Sequence, residues 1–376
     1  MYSNLSVKLK YTQISERGEY ILEIIKGTVL LLIVLACFTL FSYKAPRGMK
    51  AMGALASAAI ATFLVEAFQR YVGGDLLNIA FLGEVGDAAG SMGGVAAASL
   101  VALAMGVSPV YALMLGASSA GLGLLPGFIA GYLMSFVVKK IETKVPDGLD
   151  LIVTIIVAAP LVRLLGVWAD PVVDATLLNI GGIITQSTDA NPIIMGIILG
   201  GVITVVATAP LSSMALTAML GLTGVPMAIG ALAVFGSSFM NYVFFHRMKF
   251  GDRKTTISVA IEPLSQVDII SANPIPVYVT NFLGGASAGI IIALSGLINN
   301  ATGTATPIAG FAVMYGFNDP LKVTIVALLC AGVGALWGYL GSLMFKNFKI
   351  RRVHELNIAS EKIDEEKKEK EVVALT

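Results

Sequence analysis

The sequence predicts an all-α polytopic membrane protein of about 8–10 transmembrane helices with additional re-entrant hairpins. Of its 376 residues, 56% are hydrophobic and only 13% are charged, whereas a globular domain carries about 25% charged residues. Three stretches, 88–138, 190–245 and 269–318, contain no Asp, Glu, Lys, Arg or His. Each is long enough for two crossings, since one crossing needs roughly 20 apolar residues. A transmembrane β-barrel would show short alternating strands instead.

The apolar runs define the candidate crossings in chain order. They lie at about 21–43, 49–68, 88–106, 109–138, 149–168, 192–208, 225–245, 275–298 and 321–345. The run at 109–138 is long for one helix, and Pro126 can break it. A polar lead-in, 1–20, precedes the first crossing without a signal-peptide cleavage site. We expect a membrane-embedded region at 1–350 and a charged tail at 351–376, whose mixed charges suit a solvated helix or disorder.

Basic residues cluster at 139–144, 247–254 and 346–352. Cytoplasmic loops carry an excess of Lys and Arg, so we assign all three clusters, and with them the C-terminus, to the cytoplasm. If each of the three predicted crossings between the first two clusters spanned the membrane once, these clusters would lie on opposite sides. Either one segment there is re-entrant or the region 171–188 also crosses the membrane.

Two stretches have the composition of non-helical backbone inside a membrane. The first, 208–226, starts with Thr-Ala-Pro-Leu-Ser-Ser, and the second, 299–307, reads Asn-Asn-Ala-Thr-Gly-Thr-Ala-Thr-Pro. Proline and glycine leave backbone groups unpaired, and neighbouring hydroxyls can satisfy some of them. Interrupted hydrophobic segments that occur in pairs indicate transporter sites built from broken helices. The alternative for each stretch is a tight turn between two crossings.

Glu262, followed by Pro263, is the residue that is most costly to place in this sequence. Ionisable groups at membrane depth usually face a protein interior or a cavity and mark functional sites. Carboxylates and amides can hydrogen-bond the neighbouring hydroxyls of a sugar. We predict a substrate site formed by Glu262 with other polar residues, namely Gln266, Asp268, Asn273, Ser212, Ser213 and Asn241. The alternative roles for Glu262 are a proton or cation relay, a salt bridge or a helix cap. The alternative role for Asn241 is an interhelical hydrogen bond.

Several function classes have no support in the sequence. It lacks the paired-His or Cys-His spacing of a metal site and the Gly-rich loop with lysine that ATP hydrolysis needs. We therefore expect no catalytic residue, metal or cofactor. A net charge of +1 does not point to nucleic acid. Glu66 and Arg70 have the i, i+4 spacing of an ion pair, and Cys37 and Cys330 are expected to be buried small apolar residues.

Three short motifs connect the chain to a known family. Lys-Val-Pro-Asp-Gly-Leu-Asp at 144–150 precedes a crossing, Ala-Pro-Leu-Ser-Ser at 209–213 opens a broken segment, and Asn273-Pro274 precedes another crossing. In these motifs, and over about 25–345, the chain resembles the membrane-embedded IIC subunits of the bacterial phosphoenolpyruvate-dependent sugar phosphotransferase system. Within that family it is similar to a stand-alone branch that includes regulators of perfringolysin production.

The resemblance implies a role for Glu262. Glucose-type IIC proteins hold the sugar with a glutamate-proline pair in a Gly-Ile-Thr-Glu-like motif, and Ala260-Ile261-Glu262-Pro263 resembles its second half without the glycine and threonine. The family further implies a homodimer in the bacterial inner membrane, with a scaffold domain and a mobile transport domain that moves sugar by an elevator-like step. Separate IIA and IIB proteins would supply the phosphoryl group, so the chain is at most the permease component of a sugar phosphotransferase.

Three functions compete on this basis. The first is a permease for a sugar or another small polar solute. The second is a membrane sensor or regulator derived from the same scaffold, which binds a ligand without transporting it. The third is an ion-coupled carrier in which Glu262 and Asp268 relay protons.

Overall fold

The computed structural model describes residues 2–209 and 212–355, and every regular element in this part of the chain is a helix. Pro210 and Leu211, in the first predicted broken segment, lie outside the described residues, as do residues 356–376 of the predicted tail.

The helices follow one another with short connections. In chain order they are α1 (Tyr2–Lys44), α2 (Gly48–Leu76), α3 (Ala80–Gly90), α4 (Gly93–Met105), α5 (Pro109–Ser118), α6 (Leu124–Lys144), α7 (Leu149–Ala190), α8 (Pro192–Thr208), α9 (Ser213–Met219), α10 (Gly224–Met248), α11 (Arg253–Ile261), α12 (Val267–Ala272), α13 (Pro274–Ser295), α14 (Pro307–Val313) and α15 (Pro320–Met344). Short 3-10 turns, Pro263–Gln266 and Met314–Gly316, follow α11 and α14.

The predicted fold class, an all-α polytopic membrane protein, is confirmed. Seven of the described helices are long and apolar enough to cross a membrane, or up to 8 if α3 and α4, bent by 53°, form one span. The predicted crossing at 109–138 is divided into α5 and α6 by a turn at 119–123. Pro126 is not the break, because it lies in the first turn of α6, where proline is tolerated. The predicted crossing at 149–168 continues to Ala190, which makes α7 a helix of 42 residues.

Proline and capping side chains determine where several helices begin. The helices α5, α8, α13, α14 and α15 each start with proline, whose fixed φ and missing amide suit the first helical position. Asn191 caps α8 by accepting from the Ile194 amide at 3.1 Å, and Asp319 caps α15 by accepting from the Lys322 amide at 2.9 Å. Breaks between apolar helices therefore arise from the local sequence.

Glycines let α8 and α13 pack closely in antiparallel directions. Gly196 faces Gly289, and Gly200 faces Gly285. A methyl group added at Gly196 would lie only 2.6 Å from the carbonyl oxygen of Gly289. Small residues at such contacts are typical of membrane helices, because association there depends on van der Waals packing and interhelical hydrogen bonds.

The helices α10 and α15 pack in parallel. Gly236 faces Gly334, and one turn further along both helices Met240 contacts Gly338. The two helices therefore end on the same side of the protein, and both carry basic residues close after their last turns.

Residues 192–209 and 212–219, together called hairpin 1, have the chain directions of a re-entrant segment. Near the end of α8, Thr204 donates through Oγ1 to the Asn281 carbonyl at 2.9 Å, well inside the length of α13. The chain then reverses, since Ser213 lies beside Val234 in the middle of α10 while α9 leads directly to the start of α10. This is the first of the two arrangements that the basic clusters left open, and residues 171–188, which the second arrangement requires to cross, belong to α7.

Residues 297–316, called hairpin 2, enter from the same side. The Asn299 amide donates to the carbonyl of Gly224 at 3.0 Å, next to the start of α10. Thr306 reaches the level of Val234. The chain then returns along α14 to the start of α15, which lies at the same end as the start of α10 because the two helices are parallel.

Residues 252–273, called hairpin 3, enter from the opposite side. Asp252 caps α11, because its carboxylate accepts from the amide and the hydroxyl of Thr255, each at 2.8 Å. These bonds favour the ionised form and lower the pKa of Asp252. The nine residues of α11 reach about 14 Å, half the thickness of a bilayer core, before the chain turns at Glu262 and returns to Asn273.

Two sequence predictions outside this region are corrected by the structure. Arg70 forms its ion pair with Asp87 on α3, and the described residues contain no ion pair between Glu66 and Arg70. Because Arg70 lies in the π-helical stretch Ala67–Leu76, the usual i, i+4 register does not apply. Cys330 is buried as expected, whereas Cys37 is exposed on the apolar surface of α1.

Candidate functional site

The tips of the three hairpins meet at one small cavity beside α10. Its lining residues come from all three hairpins and from the middle of that helix, and they are Ala207, Ser212, Ser213, Met214, Val234, Glu262, Pro263, Leu264, Ala305, Thr306 and Pro307. Both predicted broken segments and the predicted Glu262-Pro263 pair are therefore brought to the same place. Three of the predicted site residues, Ser212, Ser213 and Glu262, line the cavity.

The cavity lies close to the middle of a membrane-spanning helix. Val234 is separated from the two ends of α10, Gly224 and Met248, by about 15 Å and about 21 Å at a rise of 1.5 Å per residue. A bilayer core is about 30 Å thick, so a cavity at this level is near the midplane. Carrier proteins bind their substrates at that depth between broken helices.

Glu262 lies at the apex of hairpin 3 because α11 cannot continue through Pro263. Its backbone is extended, with φ −145° and ψ 97°, which is the conformation favoured before proline. The Leu264 amide donates to Oε1 at 3.4 Å, a long and weak hydrogen bond. Within the described residues the carboxylate has no other hydrogen-bond or ion-pair partner. Most of its capacity to accept hydrogen bonds is therefore available to a ligand.

A hydrogen bond joins the tips of hairpins 1 and 2. Ser213 donates through Oγ to the carbonyl oxygen of Ala305 at 2.7 Å, and both residues are buried. Next to it, Ser212 accepts from the Ala215 amide at 3.2 Å and so caps α9. The helices α9 and α14 both begin at the cavity.

The cavity is closed in this conformation. Its volume is about 10 Å³, which is about the space that one water molecule requires. A sugar cannot enter unless the three tips move apart.

Gln266 and Asp268 do not line the cavity. They lie on the returning side of hairpin 3, where Asp268 is exposed and Gln266 donates to Ser265 Oγ at 3.4 Å. Both residues are close to Glu262 in sequence, but the 3-10 turn Pro263–Gln266 leads the chain away from the cavity.

Asn273 and Asn241 also lie away from the cavity, each in a hydrogen-bonded position. Asn273 joins hairpin 3 to the segment after α15, since its Nδ2 donates to the Arg351 carbonyl and its Oδ1 accepts from the Arg351 amide, both at 2.8 Å. Asn241 on α10 accepts from Nδ2 of Asn281 on α13 at 2.9 Å. This is the interhelical hydrogen bond that the sequence left open as the alternative.

The site predicted from the sequence did not include the residues that hairpin 2 contributes to the cavity. Ala305, Thr306 and Pro307 were recognised as part of a broken segment, but not as neighbours of Glu262. The available signal was a proline after a run of small and hydroxyl residues. It indicated a break in the helix, but it did not indicate that this break lies beside Glu262. No group of His, Cys, Asp or Glu among the described residues could hold a metal ion.

Comparison with known proteins agrees with this arrangement. The sequence model of the family described as "Phosphotransferase system, EIIC" matches residues 49–358, which include all three hairpins and the helices that hold them. No curated protein matches the chain. A match over most of the chain shows that it belongs to the EIIC family of the phosphotransferase system, the multi-pass membrane permease components that transport sugars.

Proposed function

We propose that this protein carries a sugar or a sugar-like small polar solute across the bacterial inner membrane, and that Glu262 holds the solute in transit. The observation that supports the proposal most directly is the meeting of three hairpin tips around Glu262 near the middle of α10. Broken helices whose ends converge on one polar group are typical of carrier sites.

The chemistry of the cavity suits hydroxyl groups. A carboxylate accepts hydrogen bonds at both oxygens, so the Glu262 side chain matches two neighbouring hydroxyls of a sugar ring. Bonds to an ionised acceptor are about twice as strong as those between neutral groups. Ser212 and Thr306 line the same cavity as Glu262, and their polar groups would provide further contacts to the solute.

The closed cavity requires a conformational change in the transport cycle. Hairpins 1 and 2 enter from one side and hairpin 3 from the other, so separation of their tips opens the site towards one side at a time. In the elevator mechanism that we propose, a transport domain carrying these tips moves against a scaffold domain, and two chains form a homodimer through the scaffold.

The proposed energy source is phosphorylation of the solute by separate IIA and IIB proteins. The ends of α10 and α15 lie on the same side and are followed by basic residues, from Arg247 to Lys254 and from Lys346 to Arg352. The excess of Lys and Arg favours the cytoplasm for this side, where a IIB protein would meet the solute and where the C-terminus would lie.

The experiment compares Glu262→Gln with Asp252→Asn in purified, liposome-reconstituted protein. Both substitutions replace a carboxylate with an amide on hairpin 3, but Asn is as good a helix cap as Asp, and Asp252 lies at the hairpin base. Sugars are screened for binding and for counterflow uptake. We expect Glu262→Gln to weaken binding of the transported sugar about 10-fold, because ionic hydrogen bonds become neutral ones, whereas Asp252→Asn leaves binding unchanged.

Three results would contradict the proposal. Equal sugar affinity in the wild type and in Glu262→Gln would remove Glu262 from the site. Binding without any uptake, also in the presence of phosphoenolpyruvate and the IIA and IIB proteins, would identify a sensor or regulator. Uptake that is driven by a pH gradient and is independent of phosphoenolpyruvate would identify an ion-coupled carrier.

A further inference from the structure

A basic pocket lies at the ends of α10 and α15, remote from the cavity at Glu262. Its volume is about 410 Å³, within the range of about 300–1,000 Å³ that small-ligand sites have. It is formed by the last residues of both helices and by the segment that follows α15, and its lining residues are Arg247, Met248, Lys249, Ser342, Leu343, Lys346, Phe348, Ile350 and Arg352. Four of these residues are cationic at neutral pH and none is acidic.

Arg247 has a fixed orientation in this pocket. Its Nε donates to Ser342 Oγ at 2.8 Å, and its guanidinium lies over the ring of Tyr339, 4.4 Å from the ring centroid. Because the parallel packing of α10 and α15 brings these residues together, the two helices hold the guanidinium in place without an acidic partner. An arginine that is oriented in this way presents its remaining N–H groups to a ligand at little entropic cost.

The outer wall of the pocket is also held in place. Asn273 forms two hydrogen bonds with the backbone of Arg351, and the Val353 amide donates to the Phe250 carbonyl at 3.0 Å. The segment that carries Lys346 and Arg352 is therefore attached to hairpin 3 and to the turn after α10. The pocket is a built feature, rather than a gap beside a free chain end.

The positive charge of the pocket is not offset by an ion pair within the described residues. None of its four cationic side chains forms an ion pair with an acidic residue of the described chain. Two acidic side chains lie nearby, and each accepts a hydrogen bond from another group. Asp252, in an adjoining pocket, accepts from Thr255, and Glu355 accepts from the backbone amide of Arg352 at 3.4 Å. Cations near helix C-termini interact favourably with the helix dipole. This interaction accounts for a basic residue at each helix end, but not for four cationic side chains around one opening. Such clustering creates a positive potential that attracts an anion.

We propose that this pocket binds a phosphate group, and that the phosphate belongs to the headgroup of an anionic membrane lipid. Arg side chains recognise phosphate through several hydrogen bonds at once, and lysines contribute charge. The pocket lies where two membrane-spanning helices end, and below it α15 exposes Leu336, Tyr339 and Leu343 along one side. Acyl chains lie against such a surface, whereas a free phosphate ion makes no use of it. The site is independent of the transported solute.

The test uses the full chain in neutral detergent and measures lipid adducts by native mass spectrometry during titration with phosphatidylglycerol or phosphatidylcholine. The double variant Lys346→Gln/Arg352→Gln removes two of the cations. Its matched control, Lys140→Gln/Lys144→Gln, removes the same charge from another basic cluster, outside the pocket. Each basic residue that contacts the headgroup contributes a similar attraction, so removing two of them should lower the affinity for phosphatidylglycerol about 30-fold in the pocket variant. The control residues lie outside the pocket, so the control variant should keep the wild-type affinity. Phosphatidylcholine should bind weakly and equally to all three proteins.

A second measurement distinguishes the source of the phosphate. The melting temperature is recorded with inorganic phosphate and with phosphatidylglycerol, and Ser342→Ala, which releases Arg247, is included because it keeps the net charge. If phosphatidylglycerol raises the melting temperature of the wild type, and raises it less in Ser342→Ala, the assignment to a lipid headgroup is supported. A rise with inorganic phosphate alone supports a phosphate site but overturns the lipid assignment. Equal loss of lipid affinity in the pocket and control variants overturns the proposal, since general surface charge would then explain the binding.

Discussion

The hydrogen bond between Ser213 and Ala305 gives the sharpest test of how the closed site is held together. It joins the tips of hairpins 1 and 2, and the two residues are 92 positions apart in the chain. In Ser213→Ala the hydroxyl is lost, and within the described residues the carbonyl of Ala305 has no other donor. A buried carbonyl left unpaired costs about 1–3 kcal/mol, while interhelical hydrogen bonds in membranes contribute at most about 1.7 kcal/mol. We therefore expect a loss of about 1–2 kcal/mol in the free energy of unfolding.

Reversible unfolding in mixed micelles with increasing sodium dodecyl sulfate provides the measurement. Ser237→Ala is the control, because Ser237 is equally buried and its Oγ also donates at 2.7 Å, but to Val234 within its own helix. That carbonyl keeps its helical amide partner, so the control should lose less than about 0.5 kcal/mol. If the two variants are equally stable, the bond between the hairpins does not hold the tips together, and the closed cavity needs another explanation.

Three further predictions follow from the packing. Gly200→Val places a branched side chain against the Gly285 backbone, and we expect a loss of at least about 3 kcal/mol or failure to fold, measured as the fraction of monodisperse protein in size-exclusion chromatography. Asn273→Ala breaks both bonds to Arg351, so limited trypsin digestion should cut the segment 346–352 at least several-fold faster than in the wild type, and unchanged cleavage would refute this attachment. Asp268→Asn, on the exposed side of hairpin 3, should leave sugar affinity within about twofold of wild type, and a larger loss would restore Asp268 to the site.

The parts of the fold that depend on local composition were predictable from the sequence. Apolar runs identified the membrane-spanning helices, since their length is determined by the bilayer. The breaks near Ser213 and Thr306 were recognised because proline, glycine and hydroxyl residues are uncommon in the middle of such runs. Glu262, next to Pro263, was predictable as a candidate site residue because an ionisable group is costly to place at membrane depth.

The parts that depend on which segments meet were not predictable from composition. Nothing in the neighbourhood of Ala305 shows that its carbonyl accepts from a serine in another hairpin. Asn273 and Asn241 had the residue type of a sugar ligand, but an amide satisfies a backbone group or another amide equally well. Helix lengths such as that of α7 also depend on packing, because hydropathy does not distinguish one long helix from a crossing with a helical extension.

The position of Glu262 at the end of hairpin 3 has a mechanical consequence. The hairpin acts as a lever with its pivot between Asp252 and Asn273 and an arm of about 14 Å. A rotation of about 10° at the pivot moves the carboxylate by roughly 2.5 Å, nearly the length of a hydrogen bond. In the mechanism that we propose, a small movement at the base of hairpin 3 would therefore be enough to engage or release the solute at Glu262.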